Sequence, residues 1–349
     1  MERFCIGVDV SAKTIDVAWR GDRRVECRQF ANDRNGHRAL IKQTRKRARR
    51  IRVVMESTGV YGLDLALALV GARFEVMVAN PRVAANFAKA ILQRSKSDRL
   101  DAAMLLQFAE TMPFVAWEPP SAKARELRSI CRRVQALLKI VRAEKSRLHA
   151  ALHEQGTSVV RQSIRASLKA VEGQMAALRR AAQKVIASDP LLSRQHELLL
   201  SCTGIGQISA ISILAELAVL PSDMTERQWV AHAGLDPRQY DSGSSVHAAP
   251  RISKKGNRYL RAVLYLPARV AGRFEPNAAR FAARLRGRGK KPLQIHVALM
   301  RKLLHAIHAM FRNDQPFDGS RLFPAAADAV GTSGIASSAI SEVSTACPA

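Results

Sequence analysis

Short apolar runs separated by polar turns fill the first eighty residues, and from about residue 120 the apolar spacing lengthens to that of long helices. The first run, Phe4 to Val10, has the length of a strand and holds a single carboxylate, Asp9. After the polar turn at residues 11–14, alternation over residues 15–19 and 25–30 predicts two half-exposed antiparallel strands. Residues 37–50 read as a helix ending in the basic run Arg45-Lys46-Arg47-Ala48-Arg49-Arg50, either a solvated face or a phosphate-contacting one. A fourth strand is expected over residues 51–56, closing on Glu56 and the turn Ser57-Thr58-Gly59. A helix over residues 61–70, with Gly71 in the C-cap position, and a strand over 74–79, stopped by Asn80-Pro81, continue the series.

This order of three strands, helix, strand, helix, strand, helix resembles the ribonuclease H-like fold, an antiparallel meander continued by parallel strands. In such a fold the first and fourth strands lie side by side, and Asp9 and Glu56 would face one another near the middle of the sheet. A charge in a buried strand needs a partner, so Asp9 either caps a turn or meets a metal ion. A second apolar strand ending on a carboxylate strengthens the metal reading. A third acidic element follows in Ser97-Asp98-Arg99-Leu100-Asp101. Ser97 suits an N-cap, and Asp98 and Asp101, three apart, share one face of the first helical turns. That turn is either a solvated acidic face or part of a cation site, because two carboxylates repel unless a positive charge sits between them. Four carboxylates on three elements suit one or two Mg²⁺ ions, which prefer oxygen ligands and can steady the oxygens of a scissile phosphate. Asp16, mid-strand, and Glu75, on an edge, are set aside.

Trp117-Glu118-Pro119-Pro120 reads as a linker. Beyond it, Leu127, Ile130, Val134, Leu137 and Val141 step by three and four, and Ile164, Leu168, Val171, Met175, Leu178, Ala182 and Val185 do the same. With a reversal near residues 155–158, these seams predict an antiparallel helical hairpin of coiled-coil character. It is either a plain spacer or a dimerisation arm that also touches nucleic acid. Thr203-Gly204-Ile205-Gly206 then looks like the turn of a helix-hairpin-helix, where Gly204 and Gly206 would let the backbone approach a phosphate; a tight helix corner is the alternative. A short helix is expected near residues 226–233. Arg238 to Val246 reads as a Gly/Ser loop, followed by the cations Arg251, Lys254, Lys255 and Arg258. Such a setting can hold a serine hydroxyl among groups that neutralise a phosphate. Helices over residues 259–273, interrupted by Pro267, and 292–312 flank a basic loop at 284–291. His305 and His308 share a face of the last helix with no further ligand in view. From Ala325 the chain is rich in Ala, Ser, Gly and Thr with no Lys or Arg, and disorder is expected.

A chain of 349 residues has room for two or three domains. Its 56 Lys and Arg against 29 Asp and Glu give a net charge of +27, spread along most of the chain, which points to a long polyanion as partner. No apolar run reaches the roughly 18 residues of a membrane span, and no secretory signal is visible. The five cysteines lack paired spacing and read as reduced thiols, so a cytoplasmic, nucleoid-associated protein is expected. Aromatic residues are only 5%, which argues against base stacking as the main binding mode.

Taken together, these motifs resemble the DEDD-type transposases of the insertion sequence one-ten family, recombinases guided by a bridge RNA. The carrying segments are GVDVSAKTIDVA with Asp9, MESTGVY with Glu56, KSDRLDAAML with Asp98 and Asp101, then CTGIGQISA, AHAGLDPRQYDSGSSV and RISKKGNRYLR, in unbroken order over about residues 4 to 323. The resemblance implies an α/β RuvC-like, ribonuclease H-type domain over residues 1–117, a coiled-coil hairpin over 118–190, and a mainly helical, serine-containing transposase domain over 191–325, with a tail at 326–349. It also implies that Asp9, Glu56, Asp98 and Asp101 coordinate Mg²⁺. The serine that opens the SGSS segment, Ser242, would attack a DNA phosphodiester and form a 5′-phosphoserine, with Ser244 and Ser245 close by. A bridge RNA would pair with target and donor DNA, and a tetramer would combine nuclease-like and serine domains from different subunits. Two other readings stand beside this one: a RuvC-like junction nuclease without a covalent intermediate, and a non-catalytic nucleic-acid-binding protein.

Overall fold

The computed structural model describes residues 4–56, 61–92, 97–154, 158–242 and 246–322, with the backbone alone for 239–250. It divides into two units, Met1–Pro119 and Pro120–Ala349. The expected disorder of the tail falls outside the described residues. Among the described residues no helix is long and apolar enough to cross a membrane.

The first unit runs β1 (Phe4–Val10), β2 (Thr14–Arg20), β3 (Val25–Ala31), α1 (Arg34–Arg45), β4 (Ile51–Glu56), α2 (Leu63–Gly71), β5 (Glu75–Ala79), α3 (Pro81–Ala90) and α4 (Asp98–Thr111). Its sheet has the order β3-β2-β1-β4-β5, antiparallel from β3 to β1 and parallel from β1 to β5. This mixed sheet is compatible with a RuvC-like domain. Period-2 alternation sorts the side chains. Ile6, Val8, Val10, Val53 and Met55 pack on one face with Leu40 of α1 and Leu65 and Leu69 of α2. Val54 and Ala18 face the other way, onto Met104, Leu105 and Phe108, and Ala102 and Leu106, of α4.

Two local expectations need correction, and a third holds with an added role. Helix α1 starts at Arg34, capped by the Asp33 side chain, which accepts from the Gly36 amide at 2.8 Å. It stops at Arg45, so most of the basic run lies beyond it. Arg47 instead turns back to the sheet, 4.9 Å from the Trp19 ring and 2.8 Å from Glu26. Gly71 is the last residue of α2 rather than its cap, and the left-handed turn falls on Arg73, at φ 61°. Asn80-Pro81 stops β5 but also starts α3, with the Asn80 side chain accepting from the Arg82 amide at 2.9 Å and Pro81 at the first helical position.

The second unit contains α5 (Ala122–His153), α6 (Ser158–Ala187), α7 (Pro190–Ser201), α8 (Gln207–Leu217), α9 (Glu226–His232), β6 (Pro237–Ser242), β7 (Val246–Ile252), α10 (Arg258–Phe274), α11 (Pro276–Gly287), α12 (Pro292–Asn313) and α13 (Gly319–Leu322). Leu137, Val141, Ile164, Leu168 and Met175 pack α5 on α6. Toward the root of this pair, Leu127, Cys131, Ala182 and Val185 join the core built by α7 to α12. The segment read as a Gly/Ser loop is a β-hairpin: β6 and β7 pair antiparallel, with Arg238 opposite Arg251 and Ser242 opposite Val246. Its residues lack the apolar alternation by which a half-buried strand is recognised. Helix α10 continues through Pro267, and part of the expected basic loop, residues 284–287, belongs to α11.

Candidate active site

Two adjacent parallel strands deliver the first two carboxylates. Val8 pairs with Met55 in register, and the next residue on each strand is Asp9 and Glu56. Both point away from the Val8 and Met55 cluster, toward the face that α4 covers. Helix α4 crosses β1 at Gly7, where an added Cβ would lie 2.2 Å from the Ala102 carbonyl oxygen and 2.1 Å from the Leu106 amide nitrogen. Only a residue without Cβ admits so close an approach. The first turn of α4 is thereby carried over the end of β1, with the Ser97 side chain accepting from the Leu100 amide at 3.3 Å. That turn holds Asp98, exposed, and Asp101, half-buried.

Asp9 feels all of these groups. Burial, then the charges of Asp101 and Asp98, push its carboxyl up to about 6; the Val10 amide opposes this and Glu56 adds to it. Among the described residues, no three His, Cys, Asp or Glu side chains stand close enough to form a ready-made metal cage. The donor set itself fits a hard divalent cation: it is all carboxylate oxygen, on three elements, around a group already short of positive charge.

The two carboxylates set aside have structural partners. Asp16 sits opposite Asp9 in register but accepts from Gln29 Nε2 at 3.0 and 3.3 Å. Glu75, on the edge strand β5, pairs with Arg52 at 2.7 Å.

In the second unit, Ser242 is the last residue of β6, at the far end of the hairpin. Gly243, Ser244 and Ser245 lie outside the described residues. The base of the hairpin is tied by Ser253, whose hydroxyl donates to Asp236 Oδ1 at 2.5 Å and whose amide donates to the Asp236 carbonyl at 2.9 Å. Asn257 then caps α10, its side chain accepting from the Tyr259 and Leu260 amides at 2.9 and 3.1 Å. Arg251, Lys254, Lys255 and Arg258 are all exposed along this stretch.

The α7–α8 corner divides the roles of its two glycines. Gly204, at φ 99°, packs on α10: a Cβ there would lie 2.6 Å from the Pro267 carbonyl oxygen. It serves the helix corner, the alternative reading of this turn. Gly206, the N-cap of α8, has no neighbouring atom within 4 Å of where a Cβ would stand. It leaves room for an anion at the start of the helix.

Sequence reasoning passed over Glu216, Arg128, Arg132 and Tyr259. Glu216 is a single carboxylate in the apolar helix α8, the same signal that marked Asp9, and it is 3% exposed. Half-buried His308, by contrast, meets the Met224 carbonyl oxygen at 2.8 Å and the Trp229 ring, which accounts for it as a packing residue.

Comparison with known proteins adds the family context. A model of IS110-type DEDD transposases matches residues 6–156, and a model of the IS116/IS110/IS902 transposase family matches residues 196–283. Proteins from Moraxella bovis and Moraxella lacunata, each named pilin gene-inverting protein, are 26% identical over 323 residues, covering 91% of this chain and 98% of theirs. An uncharacterized 43.6 kDa protein of insertion element IS110 from Streptomyces coelicolor is 31% identical over 166 residues, covering 47% of this chain and 39% of that one.

Proposed function

This chain belongs to the IS110 family of transposases, enzymes of DNA recombination, and on that premise we propose that it cuts and rejoins DNA through a covalent serine intermediate chosen by a guide RNA. The observation that carries the reading is the placement of Asp9 and Glu56 at the ends of two adjacent parallel strands, with the helix that bears Asp98 and Asp101 packed across β1 at Gly7. These four carboxylates would hold Mg²⁺, which when bound supplies a Lewis acid to the scissile phosphate. Ser242 would attack that phosphorus: a bond forms from its Oγ, the bond to the 3′ oxygen breaks, and the serine proton is balanced by the one gained by the leaving 3′-OH. The 5′-phosphoserine keeps the phosphodiester energy, so religation needs no outside source. Arg251, Lys254, Lys255 and Arg258 would neutralise the backbone nearby.

Gene inversion, the activity in the names of the Moraxella proteins, requires rejoining as well as cutting, which favours a recombinase over a junction nuclease. An RNA partner, by resemblance a bridge RNA pairing with target and donor DNA, suits a chain with net charge +27 and 5% aromatic residues, since pairing rather than side chains would read sequence. A tetramer would let one subunit's carboxylates serve another's serine.

The test is a denaturing gel of the RNA-bound enzyme with target and donor DNA. A protein–DNA adduct is expected for the native chain and is expected to vanish in Ser242→Ala with binding largely kept. Cleavage by Ser242→Ala at native rate, with no adduct in either protein, would instead establish the metal-dependent junction nuclease.

A further inference from the structure

The root of α5 meets the start of α10 around one buried carboxylate. Arg132 donates to Glu216 through Nε at 3.0 Å and Nη2 at 3.1 Å, and Asn257 Nδ2 donates to the same group at 2.6 Å. Burial opposes the charged form of Glu216, but these hydrogen bonds and the two arginine charges outweigh it and hold its carboxyl below the usual range. The carboxylate is therefore fully engaged, and a second guanidinium still reaches it: Arg128 Nε lies 3.5 Å from Glu216 Oε2. That Nε is buried and has no hydrogen-bond partner among the described residues. Burial and the neighbouring Arg132 both act against the charge on Arg128.

On the solvent side the cations accumulate further. The Arg132 guanidinium stacks 4.8 Å from the Tyr259 ring centroid, and Arg258 stacks on the same ring at 5.1 Å while donating to its hydroxyl at 3.2 Å. Two guanidiniums on one ring are held in place before any ligand arrives. Lys139, further along α5, also acts on Tyr259. Two arginines thus share one carboxylate and a third, exposed, joins Arg132 on the Tyr259 ring, so excess positive charge stands in fixed geometry, which is what an anion site needs.

We propose that Arg128, Arg132 and Arg258, organised by Glu216 and Tyr259, form a site for a backbone phosphate of double-stranded DNA. DNA is favoured because α10 follows directly on the hairpin that carries Ser242. Four residues of strand separate Ser242 from Arg238 at the hairpin base, ~13 Å, so DNA held here would be the flank of the segment being cut. The assignment to DNA rests on the recombinase reading; the anion site rests on the geometry alone.

The experiment measures binding of the full-length chain to a random-sequence DNA duplex in EDTA, over a series of KCl concentrations, so that no strand chemistry enters. Arg128→Gln is expected to weaken binding about three- to tenfold and to lower the slope of log K against log salt by about 1. Its melting temperature is expected to stay level or rise, because an under-partnered buried charge is removed. Arg258→Gln, which does not touch Glu216, is expected to act in the same direction. Unchanged affinity and slope in both variants would overturn the proposal, as would a fall in melting temperature with native binding, which would make Arg128 a structural partner of Glu216. Weakened binding of a folded RNA with native binding of the duplex would assign the site to RNA and overturn it as stated. Loss of the Ser242 adduct leaves all these outcomes untouched, so the two readings fail separately.

Discussion

At the scale of single residues, Asp9 and Glu216 show one sequence signal with two outcomes. Each is a lone carboxylate in an apolar element. Glu216 finds two arginines and an asparagine, and its carboxyl is held low. Asp9 finds three more carboxylates, and its carboxyl rises from 3.8 to about 6. The difference lies in distant partners, which apolar patterning does not reveal. For Asp9 the sign of the pH effect follows. A carboxyl raised in the folded state contributes stability that is complete below 3.8 and lost as pH rises through about 6. In EDTA, Asp9→Asn is therefore expected to melt higher than the native chain above pH 6, with the gap closing toward pH 4. Thermal melts across that range test this; a variant that melts lower at neutral pH would show that Asp9 has a stabilising partner instead.

At the scale of elements, the strand and helix order of the first unit was readable, and so was the neighbourhood of β1 and β4, because buried strands and amphipathic helices leave strong periodicities. What escaped were features set by tertiary contact. The β6–β7 hairpin has little apolar alternation, α3 begins on the same Asn80-Pro81 that stops a strand, and α10 carries Pro267 without a break. Gly204, read either as a phosphate-approach glycine or as part of a tight helix corner, packs at that corner. Gly7 drew no expectation of its own within the first strand, yet it sets how closely α4 approaches β1. Gly7→Ala is expected to cost about 1–3 kcal/mol in urea denaturation, because the added methyl meets backbone rather than a flexible side chain. It is also expected to weaken divalent-cation binding by lifting Asp98 and Asp101 from Asp9. Native stability with native cation affinity would show that α4 is free to shift without consequence.

At the scale of the molecule, the two units carry separable halves of the proposed chemistry: an acidic centre in the first, and a serine hairpin among cations in the second. Net charge +27 surrounds both, so a centre of four carboxylates is a local exception in a basic chain. The proposed Mg²⁺ would offset the repulsion among these carboxylates. Calorimetric titration of Mg²⁺ into the full-length chain and into Asp9→Asn, both at neutral pH, tests that claim most directly. Saturable binding to the native chain, lost in Asp9→Asn and weakening as pH falls through about 6, is the expected result. Equal binding by the two proteins would contradict a metal centre at Asp9.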